Sequence, residues 1–257
     1  PVLDHIDLGV PEQSVFAFLG NNGAGKSTTI RLITALLRPS RGSVRVLGRD
    51  MATHRIAVLR QVGCLVDSAS LYPNLTAAQF LHIGCTIKQL PRSEIGRVLE
   101  VVGLQDTGSA RVASFSLGMK QRLALAHAML GQPRLLILDE PSNGLDPQGI
   151  QEIRKLLADL PARAGCTVFV SSHQLDEVEK FATHVAVLHA GKVLCQEPIE
   201  ELMARNPGFL DIEIGDGQHA LDLLKGLDYD VRLTGERKVQ VNRIAPDDAH
   251  RLHASLI

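Results

Sequence analysis

One stretch near the start of this 257-residue chain decides the fold: VFAFLGNNGAGKST, residues 15–28. Its first five residues are all apolar, which predicts a strand buried on both faces. The next eight, residues 20–27, fit the pattern G-x-x-x-x-G-K-[ST], and the residues after them have helical spacing. A buried strand, a glycine-rich loop and a helix in this order predict an α/β fold with a parallel sheet.

The same loop has the composition of a phosphate-binding site. Glycine allows backbone N–H groups to approach phosphate oxygens closely, and the following helix adds unpaired N–H groups and the positive end of its dipole. Lys26 would supply a charge for the β and γ phosphates, and Ser27 an oxygen ligand for Mg²⁺. The candidate phosphate-binding residues are Gly20, Asn21, Asn22, Gly23, Ala24, Gly25, Lys26, Ser27 and Thr28. The structural alternative is a glycine-rich turn with an incidental lysine.

Further along the chain, a second buried strand is predicted at residues 135–138, directly before Asp139 and Glu140. Neighbouring side chains on a strand point to opposite faces, so the two carboxylates can have different roles. Asp139 is the candidate Mg²⁺ ligand, and Glu140 the candidate general base that orients an attacking water. The alternative is a pair of acids that only cap the strand end.

The remaining pattern predicts how the chain is organised. A third buried strand is predicted at residues 166–170, and a helix is predicted after Asp146 as N-cap, with Pro147 at its first position. Residues 72–130 show helical spacing without a convincing strand, and Thr76 with Gln79 predicts a capping box. We therefore predict a main domain over residues 1–205, with a helical insertion at about 72–130, and a small βαββα appendage over residues 206–257.

Composition excludes several classes of protein. The formal net charge is −1, only 4 % of residues are aromatic and there is no Trp, which argues against a chain that coats nucleic acid. No apolar run reaches the length of a membrane-spanning helix. The four cysteines form no C-x-x-C pair and are expected to be buried thiols in a reducing cytoplasm.

Three further motifs resemble those of one family, the nucleotide-binding subunits of ABC transporters. FSLGM at residues 115–119 is similar to the LSGGQ signature, NGLD at residues 143–146 to the D-loop, and His173 to the switch histidine. The resemblance covers roughly residues 2–205. It implies a P-loop NTPase of the ABC ATPase type, with a RecA-like core, an antiparallel β part, an α-helical subdomain and a small α+β C-terminal appendage.

The resemblance also implies a function and a set of site residues. The chain would bind and hydrolyse ATP with Mg²⁺, Glu140 and His173 being the catalytic pair and Asp146 the D-loop acid. The signature residues Ser116, Leu117, Gly118 and Met119 would contact the nucleotide held by a second copy of the chain, in a sandwich dimer. The implied partner is an integral membrane permease, not a nucleic acid, and the implied location is the cytoplasmic face of the cell membrane.

Within the family, the closest resemblance is to the bacitracin and lantibiotic export ATPases, because YPNLT at residues 72–76 is similar to a segment of that subgroup. Asp67 stands where the family usually has Gln, and is either a contact to Mg²⁺ or water or a solvated turn residue. Residues 72–90 are the candidate docking surface for the permease. No aromatic residue precedes Phe16, so an adenine-stacking residue is not assigned.

Two other functions stay open from the sequence. One is an ABC ATPase that acts on ribosomes or DNA, although such proteins usually carry two cassettes or a long coiled-coil insertion. The other is a nucleotide-gated module that does not turn over, which the presence of Lys26, Glu140 and His173 disfavours. The cargo, which could be an antibiotic peptide, another drug or a lipid, and the role of residues 206–257 are not determined.

Overall fold

The computed structural model describes residues 2–66, 70–205, 209–213, 217–226, 230–235 and 237–242. The chain forms two compact units, Pro1–Glu197 and Pro198–Ile257. The strands of the first unit are β1 (Val15–Leu19), β2 (Arg45–Val46), β3 (Arg49–Asp50), β4 (Val62–Leu65), β5 (Leu135–Asp139), β6 (Thr167–Ser172), β7 (His184–His189) and β8 (Lys192–Pro198). Its α-helices are α1 (Lys26–Ile33), α2 (Met51–Leu59), α3 (Ala77–Lys88), α4 (Ser93–Val101), α5 (Leu117–Ala128), α6 (Pro147–Ala164) and α7 (Leu175–Val178).

The main sheet has six strands in the order β4-β5-β6-β1-β7-β8. The pairs β4/β5, β5/β6, β6/β1 and β1/β7 are parallel, as predicted. Only two residues join β7 to β8, a connection that fits an antiparallel pair. Because the register aligns Leu19 with Ser172 and Asp139 with Ser171, the carboxyl ends of β1, β5 and β6 meet at one edge.

The core of this unit forms where the sheet is covered by helices. Phe169 on β6 packs against Phe16 and Phe18 on β1, with ring centroids 5.7 and 5.4 Å apart. All five residues of β1 are buried, and the predicted strand has the predicted bounds. These strands read as continuous apolar runs because both of their faces are covered.

A two-stranded hairpin and a helix cover one part of this core. Strands β2 and β3 pair antiparallel through Leu47 and Gly48, whose φ angles of 51° and 74° are those of a type I′ turn. Helix α2 follows at once, with the Asp50 side chain accepting a hydrogen bond from the N–H of Ala52. The apolar residues Val46, Met51 and Val58 face inward and join the core.

Residues 72–130 contain helices and no strand, as predicted. The capping box of Thr76 and Gln79 is present at the start of α3. The apolar residues Phe80, Ile83 and Ile87 have the helical spacing of one face of α3, but only Phe80 is buried, while Ile83 and Ile87 are 40 % and 75 % exposed. Helical spacing therefore predicted the element correctly but not how far its apolar side is covered.

The second unit contains α8 (Ile199–Arg205), β9 (Phe209–Glu213), α9 (Gly217–Gly226), β10 (Asp230–Gly235) and β11 (Lys238–Asn242). Its antiparallel sheet has the order β10-β11-β9, and its core includes Leu224 and Val239. The order β9, α9, β10, β11 is the predicted one, while the last predicted helix, within residues 243–257, lies outside the described residues. Helix α8 belongs to this unit, whereas the sequence analysis placed the boundary after residue 205.

Candidate functional site

The predicted phosphate loop lies at the carboxyl edge of the sheet, between β1 and α1. The N–H of Gly20 donates to the carbonyl of Ser172 at the end of β6, 3.2 Å away. A Cβ at Gly20 would lie 2.5 Å from the carbonyl oxygen of Leu188, and Gly25 has φ of 113°, so a side chain is disfavoured at both positions. The loop therefore needs glycine both for close packing and for its left-handed turn into α1.

Lys26 is the first residue of α1, and its side chain is almost entirely buried at the centre of this edge. Its Nζ donates to the carbonyl oxygen of Gly20 at 2.6 Å and lies 3.3 Å from Oε1 of Glu140. A buried ammonium is stable only where acceptors or anions surround it. The phosphate loop and Glu140 together provide this environment, and phosphates bound here would compete with Glu140 for the same cation.

Asp139, at the end of β5, is held by two hydroxyl groups. Ser27 Oγ donates to its Oδ2 at 3.0 Å, and Ser171 Oγ donates to its Oδ1 at 2.5 Å. The motifs predicted Ser27 and Asp139 at the same metal site, but Ser171, which is fully buried on β6, was not predicted. Its signal in the sequence is a hydroxyl residue inside an apolar strand, two positions before His173.

Glu140 adopts a left-handed backbone conformation, with φ of 48°. For a residue other than glycine this conformation is strained, so it needs support from its surroundings. Its N–H donates to Ser171 Oγ at 3.0 Å, and its Oε2 lies 2.9 Å from Nδ1 of His173. The turn directs the Glu140 carboxylate toward Lys26 and His173, the residues that the sequence analysis grouped with it.

His173 in turn has a second partner that the sequence analysis missed. Gln174 Nε2 lies 3.1 Å from His173 Nε2. Both contacts of the ring are satisfied by the neutral tautomer with its proton on Nδ1, which donates to Glu140 while Nε2 accepts from the Gln174 amide. The imidazole is thus held on both sides.

An open cleft of about 580 Å³ lies between the phosphate loop, Asp139 and Glu140. Its lining consists of Val2, Asn21, Asn22, Gly23, Gly25, Lys26, Ser27, Thr28, Leu117, Gln121, Asp139, Glu140 and Asn143. The cleft thus reaches from the phosphate loop to the first turn of α5 within one chain. Residues predicted to bind phosphate and metal, and the predicted base Glu140, thus share one concave surface, as a nucleotide site requires.

The signature and D-loop residues lie at helix starts. Ser116 caps α5 by accepting from the N–H of Met119 at 3.2 Å, and Leu117 is exposed. Asp146 caps α6 by accepting from the N–H of Gly149 at 3.0 Å, with Pro147 at the first position as predicted. Both side chains therefore have a structural role, whatever they contact in an assembly. Asp67 lies outside the described residues.

None of the four cysteines lines this cleft. Cys85 and Cys166 are buried as predicted, and burial raises the pKa of Cys166 to about 11, but Cys64 is exposed and Cys195 half-buried. The prediction of four buried thiols was therefore wrong at two positions, because apolar neighbours in sequence do not guarantee cover in the fold.

Among the described residues, no helix is both long and apolar enough to cross a membrane.

The chain matches proteins of known sequence over most of its length. The family model described as "ABC transporter" matches residues 3–143. "Bacitracin transport ATP-binding protein BcrA" of Bacillus licheniformis is 41 % identical over 91 % of this chain and 78 % of its own length. "Lantibiotic transport ATP-binding protein SrtF" of Streptococcus pyogenes is 38 % identical over 78 % of this chain and 89 % of its own length.

Solved structures agree with the fold. The structure of cbiO1 from Clostridium perfringens, described as part of the ABC transporter complex cbiONQ, superposes with a TM-score of 0.73. It is 29 % identical and covers 79 % of this chain and 84 % of its own. The fold over most of this chain is thus shared with that solved structure.

Proposed function

The chain belongs to the ABC transporter family as an ATP-binding, ATP-hydrolysing subunit, and on this premise we propose that it works as a dimer on a separate membrane permease and powers export. The observation that carries the proposal is the meeting of Lys26, Asp139, Glu140 and His173 at one sheet edge. Glu140 contacts both Lys26 and His173 there, and Asp139 accepts a hydrogen bond from Ser27. A triphosphate, its metal ion and its attacking water need these groups together.

The phosphate-binding part of the proposal rests on the loop and Lys26. The nine residues 20–28 would surround the β and γ phosphates with N–H groups, and the Lys26 ammonium would move from Glu140 to phosphate oxygens. Ser27 Oγ and Asp139 Oδ2 are hard oxygens 3.0 Å apart, a donor pair that fits Mg²⁺ with its preference for oxygen and a few protein ligands. When bound, Mg²⁺ would neutralise charge on the phosphate oxygens. Asp67 remains a candidate second contact.

The hydrolytic part rests on Glu140. Its carboxylate would accept a proton from the attacking water, and His173 would keep that carboxylate in place and contact the γ-phosphate. Ser171 holds the backbone of Glu140 and the side chain of Asp139 at once, so the metal ligand and the base are positioned by one hydroxyl. Phosphoryl transfer depends mainly on such positioning, because little covalent chemistry is required of the protein.

The assembly part of the proposal rests on side chains and backbone that are exposed or half-buried in the single chain. Ser116, Leu117, Gly118 and Met119 would contact the nucleotide of a second copy, so that ATP stabilises the dimer and hydrolysis releases it. On α3, the exposed Ile83 and Ile87, within residues 72–90, offer an apolar surface for the permease. The chain would then lie on the inner face of the membrane.

The cargo is proposed from the relatives. BcrA and SrtF are named for the transport of bacitracin and of a lantibiotic, which supports an antibiotic of that kind over a lipid or another drug. The alternative of an ABC ATPase that acts on ribosomes or DNA has no support from these relatives. Among the described residues between the phosphate loop and α5, the longest helix has 12 residues, so none of them forms a long coiled-coil arm.

Replacement of the base tests the proposal. With the chain and its permease reconstituted in vesicles, Glu140→Gln should keep ATP binding, abolish phosphate release and trap a dimer on ATP. The matched control is Glu100→Gln, an exposed carboxylate on α4 that should hydrolyse ATP at the parent rate. A Glu140→Gln variant with parent activity would refute the role of the base. ATPase stimulation by ribosomes rather than by the permease would favour the alternative.

A further inference from the structure

Residues 31–60 form a strongly basic layer on the first unit. They comprise the end of α1, the β2–β3 hairpin and α2, and contain seven arginines, no lysine and a single carboxylate, Asp50. The arginines are Arg31, Arg38, Arg41, Arg45, Arg49, Arg55 and Arg60, and all are exposed. The formal charge of this layer is therefore +6 in a chain whose net charge is −1.

Six of these arginines have no carboxylate partner within the part of the chain that the structure describes. Arg97 and Arg163 each pair with a carboxylate on their own helix, but no such pair involves Arg38, Arg41, Arg45, Arg49, Arg55 or Arg60. Asp50 is used as the cap of α2. The positive potential of the layer is thus directed to solvent, where it is available to an anionic partner.

These six arginines do not serve the packing of the core. The layer is attached to the core through Val46, Met51 and Val58, which are buried. Apolar contacts of this kind are sufficient to hold a short hairpin and a helix in place, so packing does not require the outward arginines. Their concentration in so short a segment therefore indicates a surface function.

Exposed aliphatic side chains lie among the arginines. Leu36, Leu37 and Ile56 are 67 %, 44 % and 69 % exposed. The N–H groups of Leu36 and Leu37 both donate to the carbonyl of Arg31, so the two leucines are fixed directly beyond α1, with Arg38 next in the chain. Guanidinium groups beside exposed leucines match an anionic bilayer, which offers phosphate oxygens and, just below them, the start of its acyl region.

We propose that this arginine layer, residues 31–60, binds the anionic headgroups of the lipid bilayer beside the permease. The proposal rests on the proposed function, which places the chain at a membrane. A nucleic acid is disfavoured as the partner because residues 31–60 contain no Phe, Tyr or Trp on which a base could stack. The layer shares no residue with the candidate permease surface, residues 72–90.

Vesicle flotation of the full chain tests the proposal. At low salt the chain should float with phosphatidylcholine vesicles in which phosphatidylglycerol replaces one lipid in three, but not with pure phosphatidylcholine. A several-fold rise in salt concentration should release it, because salt screens the attraction. Each arginine near such a surface contributes roughly fivefold to partitioning. The double variant Arg38→Glu/Arg41→Glu, in an irregular loop, should therefore lower the partition coefficient more than tenfold.

Matched variants distinguish vesicle binding by the arginine layer from an effect of the net charge of the whole chain. Lys155→Glu/Lys180→Glu makes the same charge change at exposed positions elsewhere and should stay within twofold of the parent. Leu36→Asn/Leu37→Asn should also reduce binding, because it removes the aliphatic contact and leaves every arginine. All variants should bind ATP as the parent does, since none of these residues lines the cleft.

Several outcomes would overturn the proposal. They are no binding to anionic vesicles, equal binding to neutral ones, or an equal loss in the lysine control. Normal flotation combined with lost permease binding in Arg38→Glu/Arg41→Glu would assign the layer to an acidic protein segment instead. Failure of the proposed function would be seen separately, as a parent chain that does not bind ATP or is not stimulated by the permease.

Discussion

Removal of the Ser171 hydroxyl should impair ATP hydrolysis. Among the described residues, Ser171 is the only one whose side chain forms hydrogen bonds with both the Asp139 carboxylate and the backbone of Glu140. In Ser171→Ala, the Asp139 carboxylate loses a donor and the Glu140 N–H loses its acceptor. A hydrogen bond to a charged group contributes about 1.5–3 kcal/mol and a neutral one about 0.5–1.5 kcal/mol. The two together amount to roughly 2–4 kcal/mol.

The lost free energy can come from substrate binding or from the transition state of hydrolysis, and these two cases change different kinetic constants. If all of it is lost from the transition state, kcat falls about thirtyfold to several hundredfold. The Mg²⁺ concentration for half-maximal ATPase activity should also rise, because Asp139 is then held by Ser27 alone. Relaxation of the strained turn at Glu140 would move the base as well, so kcat should fall more than ATP affinity.

Steady-state ATPase assays over a range of Mg²⁺ concentrations give both quantities. Ser171→Thr keeps the hydroxyl and should recover most of the activity. Thr34→Ala is the control, since it removes a buried hydroxyl that bonds only within α1 and should change stability without changing the Mg²⁺ requirement. A folded Ser171→Ala variant with parent kcat and parent Mg²⁺ dependence would show that this hydroxyl does not position the site.

Three further predictions concern the loop, the signature and the helical region. Lys26→Ala should weaken Mg·ATP binding at least tenfold in equilibrium titration, because the phosphates lose their buried cation; unchanged affinity would contradict the loop assignment. Ser116→Arg should abolish turnover by the assembled transporter while the isolated chain still binds ATP, and an active variant would refute the two-sided site. The pKa of Glu94 is lowered to about 2 by its hydrogen bonds with Arg97, so its carboxylate stabilises the fold above pH 4.5 and this contribution disappears as the pH falls toward 2. Glu94→Gln should therefore lower the free energy of unfolding at pH 7 by an amount on the order of 3 kcal/mol and make little difference near pH 2, as checked by urea titration at both pH values.

Local patterns in the sequence predicted the elements that hold the site. The bounds of β1, the capping box at Thr76 and the cap at Asp146 all follow from short-range rules, because an apolar run or a capping side chain acts within a few residues. Burial was harder to predict. Ile87 has the spacing of a core residue and Cys64 has apolar neighbours, but both are exposed, because cover comes from segments distant in sequence.

The sequence by itself determined that a glycine-rich loop with Lys26 follows a buried strand, and that two carboxylates end another strand. Only the tertiary structure decided that Ser171 holds both carboxylate residues in place, that Glu140 turns toward Lys26, and that Gln174 fixes His173. The physical reason is one of range. A motif reports the groups that a chain carries, whereas a hydrogen bond between strands that are distant in the sequence depends on the register of the sheet that brings them together.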